Sequence, residues 1–137
     1  MILFLFVAFL STGCEHADLL QPAPPGPEGS TFQHIQTNIL SKNCALSGCH
    51  FGGSSSLPGV MDLREGRAFS NLVGVRSIER PDLVRIAPGD PDNSYLMLKI
   101  TGAAGIVGAR MPLGRSPLSD ANIQTIRAWI EAGAQIN

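Results

Sequence analysis

Two thiols and an imidazole stand close together in Cys44-Ala-Leu-Ser-Gly-Cys49-His50, in a chain that holds 3 cysteines and 3 histidines in all. Three kinds of chemistry use such a cluster. A disulfide between Cys44 and Cys49 is sterically possible in a loop and normal outside the cytoplasm, yet it gives His50 no task. A zinc ion needs a fourth ligand, and the next candidate, His34, lies on the preceding segment; adjacent Cys49 and His50 also rarely serve one tetrahedral ion together. The third use is covalent attachment of haem, in which each thiol adds to a porphyrin vinyl group and the neighbouring imidazole meets the iron from the same side. It employs all three residues. It requires a bend that converges both sulfurs and the ring on one edge of the macrocycle, with the four-residue spacer looping outward around Gly48. His16 and His34 read as surface residues.

The elements that must carry this cluster are short helices. In Thr31 to Asn43, Phe32, Ile35 and Ile39 recur at spacings of three and four with Leu40 beside them, and Ser30 or Thr31 can cap the start; this predicts an amphipathic helix running directly into Cys44. A second helix is expected from Glu65 to Val73, with Phe69, Leu72 and Val73 turned inward. A third, capped by Asp90 with Pro91 as its first helical residue, carries Tyr95, Leu96, Leu98 and Ile100 before Gly102 and is apolar nearly all round. The last has Ser119 as cap, Ile123, Ile126 and Ile130 on one stripe with Trp129 adjoining, and Gly133 as its left-handed stop. No segment alternates convincingly as a strand. The expected fold is all-α, three to five short helices with long loops at Gly52–Asp62, Gly74–Asp90 and Gly102–Leu118.

Length and composition bound the reading further. The 137 residues carry a formal net charge of -1 from 10 Lys and Arg against 11 Asp and Glu. No basic face is available to neutralise a row of phosphates, so nucleic acid is not an expected partner. Apolar residues make up 44%, ordinary for a globular protein, while 15 Gly and 10 Pro imply much ordered loop.

The opening residues 1–13 read as a signal peptide. The apolar run from Ile2 to Leu10 is too short for a membrane span but suits an export signal. The following Leu10-Ser-Thr-Gly-Cys14 resembles a bacterial lipobox, which makes Cys14 a lipidation site, although the leucine lies one place upstream of the usual pattern and no Lys or Arg precedes the apolar run. Residues 14–29, with four prolines between Pro22 and Pro27, have the composition of an extended tether, or of a disordered tail with no anchoring role. Residues 30–137 form the folded domain. Removing Cys14 by lipidation leaves Cys44 and Cys49 as a pair.

From about Thr31 to the end, the chain resembles the class I cytochrome c family. The resemblance is carried by the ordered set: an N-terminal helix, the attachment motif "NCALSGCH", a loop-rich middle, the loop "RMPLG" from Arg110 to Gly114, and the closing helix "LSDANIQTIRAWIEAGA". It departs from the usual Cys-x-x-Cys-His in its longer spacer.

The resemblance implies one covalently bound haem c, with Cys44 and Cys49 in the thioethers, His50 as proximal iron ligand and Met111 as distal ligand. Met61 is the rival for the sixth position, Met97 reads as core packing within its helix, and core packing is the bland role for Met61 and Met111 too. Pro112 stiffens the loop beside Met111. The resemblance further implies burial of the porphyrin among Phe32, Ile35, Phe69, Tyr95, Leu96, Leu98 and Trp129, each of which serves equally as plain core. Arg85, Lys99 and Arg110 are candidates to neutralise the propionates, with solvated surface roles as the alternative.

The function implied is single-electron transfer between redox partner proteins in the periplasm, with a lipid anchor to a membrane and no reaction catalysed by the chain itself. Two competing functions remain open at this point. One is a haem enzyme or gas-binding module with a labile sixth ligand. The other is a haemless, disulfide-stapled interaction module of the cell envelope.

Overall fold

The computed structural model describes residues 29–52 and 61–137; the expected signal peptide, Cys14, the tether as far as residue 28 and most of the Gly52–Asp62 loop lie outside them. Regular structure in the described residues is helical. Three pieces run end to end, α1 (Phe32–Ile35), a π-helical stretch (Gln36–Leu40) and α2 (Ser41–Asn43), and are followed by α3 (Ala68–Leu72), α4 (Tyr95–Thr101) and α5 (Asp120–Glu131). Among the described residues there is no strand, only isolated bridges such as Val73 with Ile86 and Val84 with Ser94 that stitch the long middle loop together. No helix among them is long and apolar enough to cross a membrane.

The first helix begins where its cap predicts. Thr31 Oγ1 accepts a hydrogen bond from the His34 amide at 3.1 Å, satisfying one of the free N–H groups of the first turn. Phe32, Ile35, Ile39 and Leu40 are buried. The π-helical stretch was not foreseen. Its wider turn, in which the Ser41 amide donates to the Gln36 carbonyl, accompanies the burial of Gln36 beside the apolar stripe, where only 2% of it is exposed. Of the buried amide, Gln36 Nε2 donates to the Leu63 carbonyl at 3.0 Å and to Ser41 Oγ at 3.2 Å, while Oε1 has no partner among the described residues. The helix thereby holds the segment that follows the Cys-Cys-His cluster.

Two boundaries differ from the sequence-based expectation. The second helix starts at Ala68 rather than Glu65, because residues 64–67 close as turns, with the Arg67 and Ala68 amides both donating to the Arg64 carbonyl at 3.0 Å. The third starts at Tyr95 rather than Pro91. Asp90 does accept from the Asn93 amide, at 3.1 Å, but the carboxylate also takes the Asn93 side-chain amide at 2.7 Å, and the segment closes as a turn ahead of the helix. The stop at Gly102 is as expected: φ is +71°, and an added Cβ would lie 2.9 Å from Arg110 Cδ. In α5, Ser119 Oγ accepts from the Asn122 amide at 3.3 Å.

The core lies where the two ends of the domain meet. Phe32 of α1 sits with its ring centroid 5.4 Å from Trp129 of α5 and 5.2 Å from Phe69 of α3, the latter edge-on. The Phe32 and Gln33 amides donate to Asn137, at 2.8 and 3.0 Å, and Trp129 Nε1 donates to the Gln135 carbonyl at 2.8 Å. Met97 is buried in the same core, the packing role its position implied. These contacts clamp the N-terminal helix to the C-terminal one, and the cluster begins at the end of that clamped helix.

Candidate functional site

The spacer between the thiols folds as two linked turns. The Cys44 and Ala45 amides both donate to the Leu40 carbonyl, at 2.9 and 2.8 Å, ending the helix. The Leu46 amide then donates to the Cys44 carbonyl, the Cys49 amide to the Leu46 carbonyl, and the His50 amide back to the Cys44 carbonyl at 3.2 Å. That last bond returns the chain to its starting point. Gly48, at φ +79°, supplies the left-handed step that the return needs, and Ser47 and Gly48 are exposed while Ala45 is buried. The two residues beyond an ordinary two-residue spacer are therefore accommodated in an outward loop.

Cys44, Gly48, Cys49 and His50 line one cavity, together with Asn43, Met61, Leu63, Leu96, Ile100, Met111, Pro112, Leu113 and Arg115. Its interior volume is about 160 Å³, smaller than the roughly 300–1,000 Å³ usual for cofactor and ligand sites, and its mouth is open to solvent. Leu96 and Ile100, four apart on α4, form one wall. Sequence reasoning missed Leu63, Ile100 and Arg115; only Ile100 carried a usable signal, its i,i+4 spacing from Leu96. Of the seven residues expected around the porphyrin, Leu96 alone lines this cavity, and Phe32, Ile35, Tyr95 and Trp129 are buried core, with Phe69 packed against it. The expected cations are also occupied elsewhere: Arg85 donates to the Asn71 carbonyl at 2.7 Å, Arg110 Nε to the Ile100 carbonyl at 2.8 Å, and Lys99 to the Val107 carbonyl at 2.8 Å and Glu79 at 3.0 Å.

Burial, and secondarily the nearby Cys49, pushes the Cys44 thiol up to about 11 from 9.0, so it keeps its proton at neutral pH. Both cysteines are free thiols, Cys44 half-buried and Cys49 exposed. His50 is shifted down, chiefly by desolvation; a hydrogen bond with the Met61 backbone opposes the shift, and the positive charges of Arg85 and Lys99 add to it. The ring is thus neutral at physiological pH. With one nitrogen engaged by backbone, the other is left to act as a lone-pair donor. Among the described residues no group of three His, Cys, Asp or Glu side chains could hold a metal ion by itself, which leaves the zinc arrangement without a donor set.

Met61 and Met111 reach the cavity by different routes. Met61 is tied to the histidine's own flank through its backbone bond to the His50 ring, and two residues later the Leu63 amide donates to the His50 carbonyl at 2.9 Å. Met111 arrives from the loop after α4, its amide donating to the Lys99 carbonyl at 2.9 Å. That loop is braced by a cage of polar contacts. Tyr95 Oη donates to Glu79 at 2.7 Å and accepts from the Val107 amide at 3.0 Å. Burial works against ionisation of Glu79, but the Tyr95 and Lys99 hydrogen bonds outweigh it and hold the carboxyl below its ordinary range.

No protein family, no curated protein and no solved structure matches the chain.

Proposed function

We propose that the chain is a monohaem c-type electron carrier of small cytochrome c-like fold. The observation that supports this reading is the common lining of one apolar cavity by Cys44, Cys49 and His50 from one bend and by Met111 from a remote loop. Two thiols and a neutral imidazole at one end, a thioether from elsewhere and aliphatic walls between them are the donor set and surroundings that a covalent haem takes. When bound, the group supplies reversible one-electron exchange at iron.

In this reading Cys44 and Cys49 would hold the group covalently through thioethers to its two vinyl substituents, and His50, its ring engaged on one side by the Met61 backbone, would offer its other nitrogen to the metal. The attachment of Met61 to the histidine side supports Met111 as the sixth ligand. A soft thioether favours the reduced metal and closes the site to small ligands. Leu63, Leu96, Ile100 and Pro112 keep water from the interior, and Leu113, 63% exposed at the mouth, offers an apolar contact of the kind a brief, small redox encounter uses. Export and lipid attachment at Cys14 belong to the same proposal, as do redox proteins of the envelope as partners.

The test is a denaturing gel stained for haem, run on protein matured in a host with a haem-attachment system. Staining should survive denaturation and disappear in the Cys44→Ala/Cys49→Ala double variant. Protein that emerges colourless with the two thiols joined to each other would sink the proposal.

A further inference from the structure

Resting on the haem reading, we infer that Arg115 is the carboxylate partner of the bound porphyrin and that its ion pair helps hold the Met111 loop against the cavity. The macrocycle carries two propionates, and an anion brought to the edge of an apolar site is costly unless a cation meets it. Among the described residues Arg115 is the one cationic side chain lining the cavity. The other candidates are committed: Arg85 to the Asn71 carbonyl, Arg110 to the Ile100 carbonyl, Lys99 to Glu79 and the Val107 carbonyl. Arg115 is exposed. Its guanidinium has no hydrogen-bond or ion-pair partner among the described residues, although its amide donates to the Pro112 carbonyl at 3.4 Å.

That backbone bond matters to the inference. It closes a turn joining Arg115 to the residue after Met111, so the cation and the ligand move as one piece of loop. A planar guanidinium also matches a carboxylate with two parallel N–H bonds, which a lysine in its place would not. On this inference the loop would hold the group at two points, through the Met111 sulfur and through the Arg115 charge.

The experiment compares haem-loaded wild type with Arg115→Gln and Arg115→Lys. Haem staining after denaturation first establishes which of the three carry the covalent group, and the comparison is made on the loaded fraction of each. In Arg115→Gln the ferric protein should bind imidazole, which displaces the methionine, about 1.5- to fivefold more tightly, the range expected for loss of an exposed ion pair, with Arg115→Lys in between. The propionate bending bands in the resonance Raman spectrum should shift in Arg115→Gln, a change that a merely structural role for the residue would not produce. Unchanged imidazole affinity and unchanged propionate bands in haem-loaded Arg115→Gln would overturn the inference while leaving the haem reading intact. Absence of haem from the wild type would instead overturn the reading beneath it.

Discussion

The protonation of Cys44 can be tested directly, because the structure gives it a magnitude. Its thiol lies at about 11 rather than 9.0, so at pH 8 the reactive thiolate fraction falls about a hundredfold. A more basic thiolate is a better nucleophile, and over the same interval this returns about six- to tenfold. In the haem-free, reduced chain Cys44 should therefore react with iodoacetamide about ten- to fifteenfold more slowly than in the urea-unfolded chain, before any further protection from restricted access. Cys49 is exposed and should label at close to its unfolded rate. Mass-spectrometric timing of the two adducts reads this directly, and Trp129 fluorescence reports that the chain is folded. The same shift carries a sign for stability. Because the folded thiol holds its proton to higher pH, the unfolded chain releases its own first, and stability is full below pH 9 and declines as pH rises from about 9 to about 11. The total loss is about 2–3 kcal/mol. Cys44→Ala should flatten that decline. If Cys44 labels at its unfolded rate while Trp129 remains buried, the cavity does not enclose the thiol as described.

Two further substitutions separate the site from the scaffold. On the proposed haem reading, Met111→Ala should open the iron to carbon monoxide, shifting the visible spectrum of the reduced protein, and should lower its midpoint potential; Met61→Ala should do neither, and the reverse pattern would assign the ligand to Met61. Ser119→Ala removes the cap on α5 and should cost about 1 kcal/mol, which lowers the melting temperature by roughly 4–8 °C for a domain of this size, read by thermal unfolding with the visible spectrum of the loaded protein unaltered.

The helices were legible in the sequence where an apolar stripe coincided with a cap. Thr31 and Ser119 each accept the amide three residues on, and Gly102 takes the left-handed step that ends α4. The reading failed where a polar side chain had two local options. Asp90 has the chemistry of a helix cap, yet it binds both the backbone and the side chain of Asn93 and makes a turn, a choice that periodicity cannot reveal. Gln36 carried no signal in the apolar pattern because its type is polar. Its burial depends on a backbone carbonyl 27 residues away, at Leu63, which becomes a neighbour only in three dimensions. The site shows the same division. Cys44, Cys49 and His50 stood out by chemistry and spacing and Met111 through the resemblance, and the four line one cavity. The wall was not, because Leu63 and Ile100 are aliphatics like many others, while of the large aromatics expected there Phe32, Phe69 and Trp129 pack against one another and Tyr95 bonds Glu79 and Val107 instead.

The short helix α4 connects these features. Its inner positions Leu96 and Ile100 form the cavity wall, and its last turn governs how the next loop approaches. The Lys99 carbonyl accepts from the Met111 amide, the Lys99 ammonium donates to the Val107 carbonyl and pairs with Glu79, and the Ile100 carbonyl accepts from Arg110. The carbonyls at the end of a helix lack partners within it. Here two of them, at Lys99 and Ile100, are satisfied by the loop that carries Met111, so ending the helix and positioning Met111 are the same set of bonds. The salt bridge contributes modestly because Glu79 is 42% exposed on its side chain; what the arrangement supplies is register. Met111 enters one residue after a fixed Arg110 and one before Pro112, and lines the cavity whose wall the same helix builds.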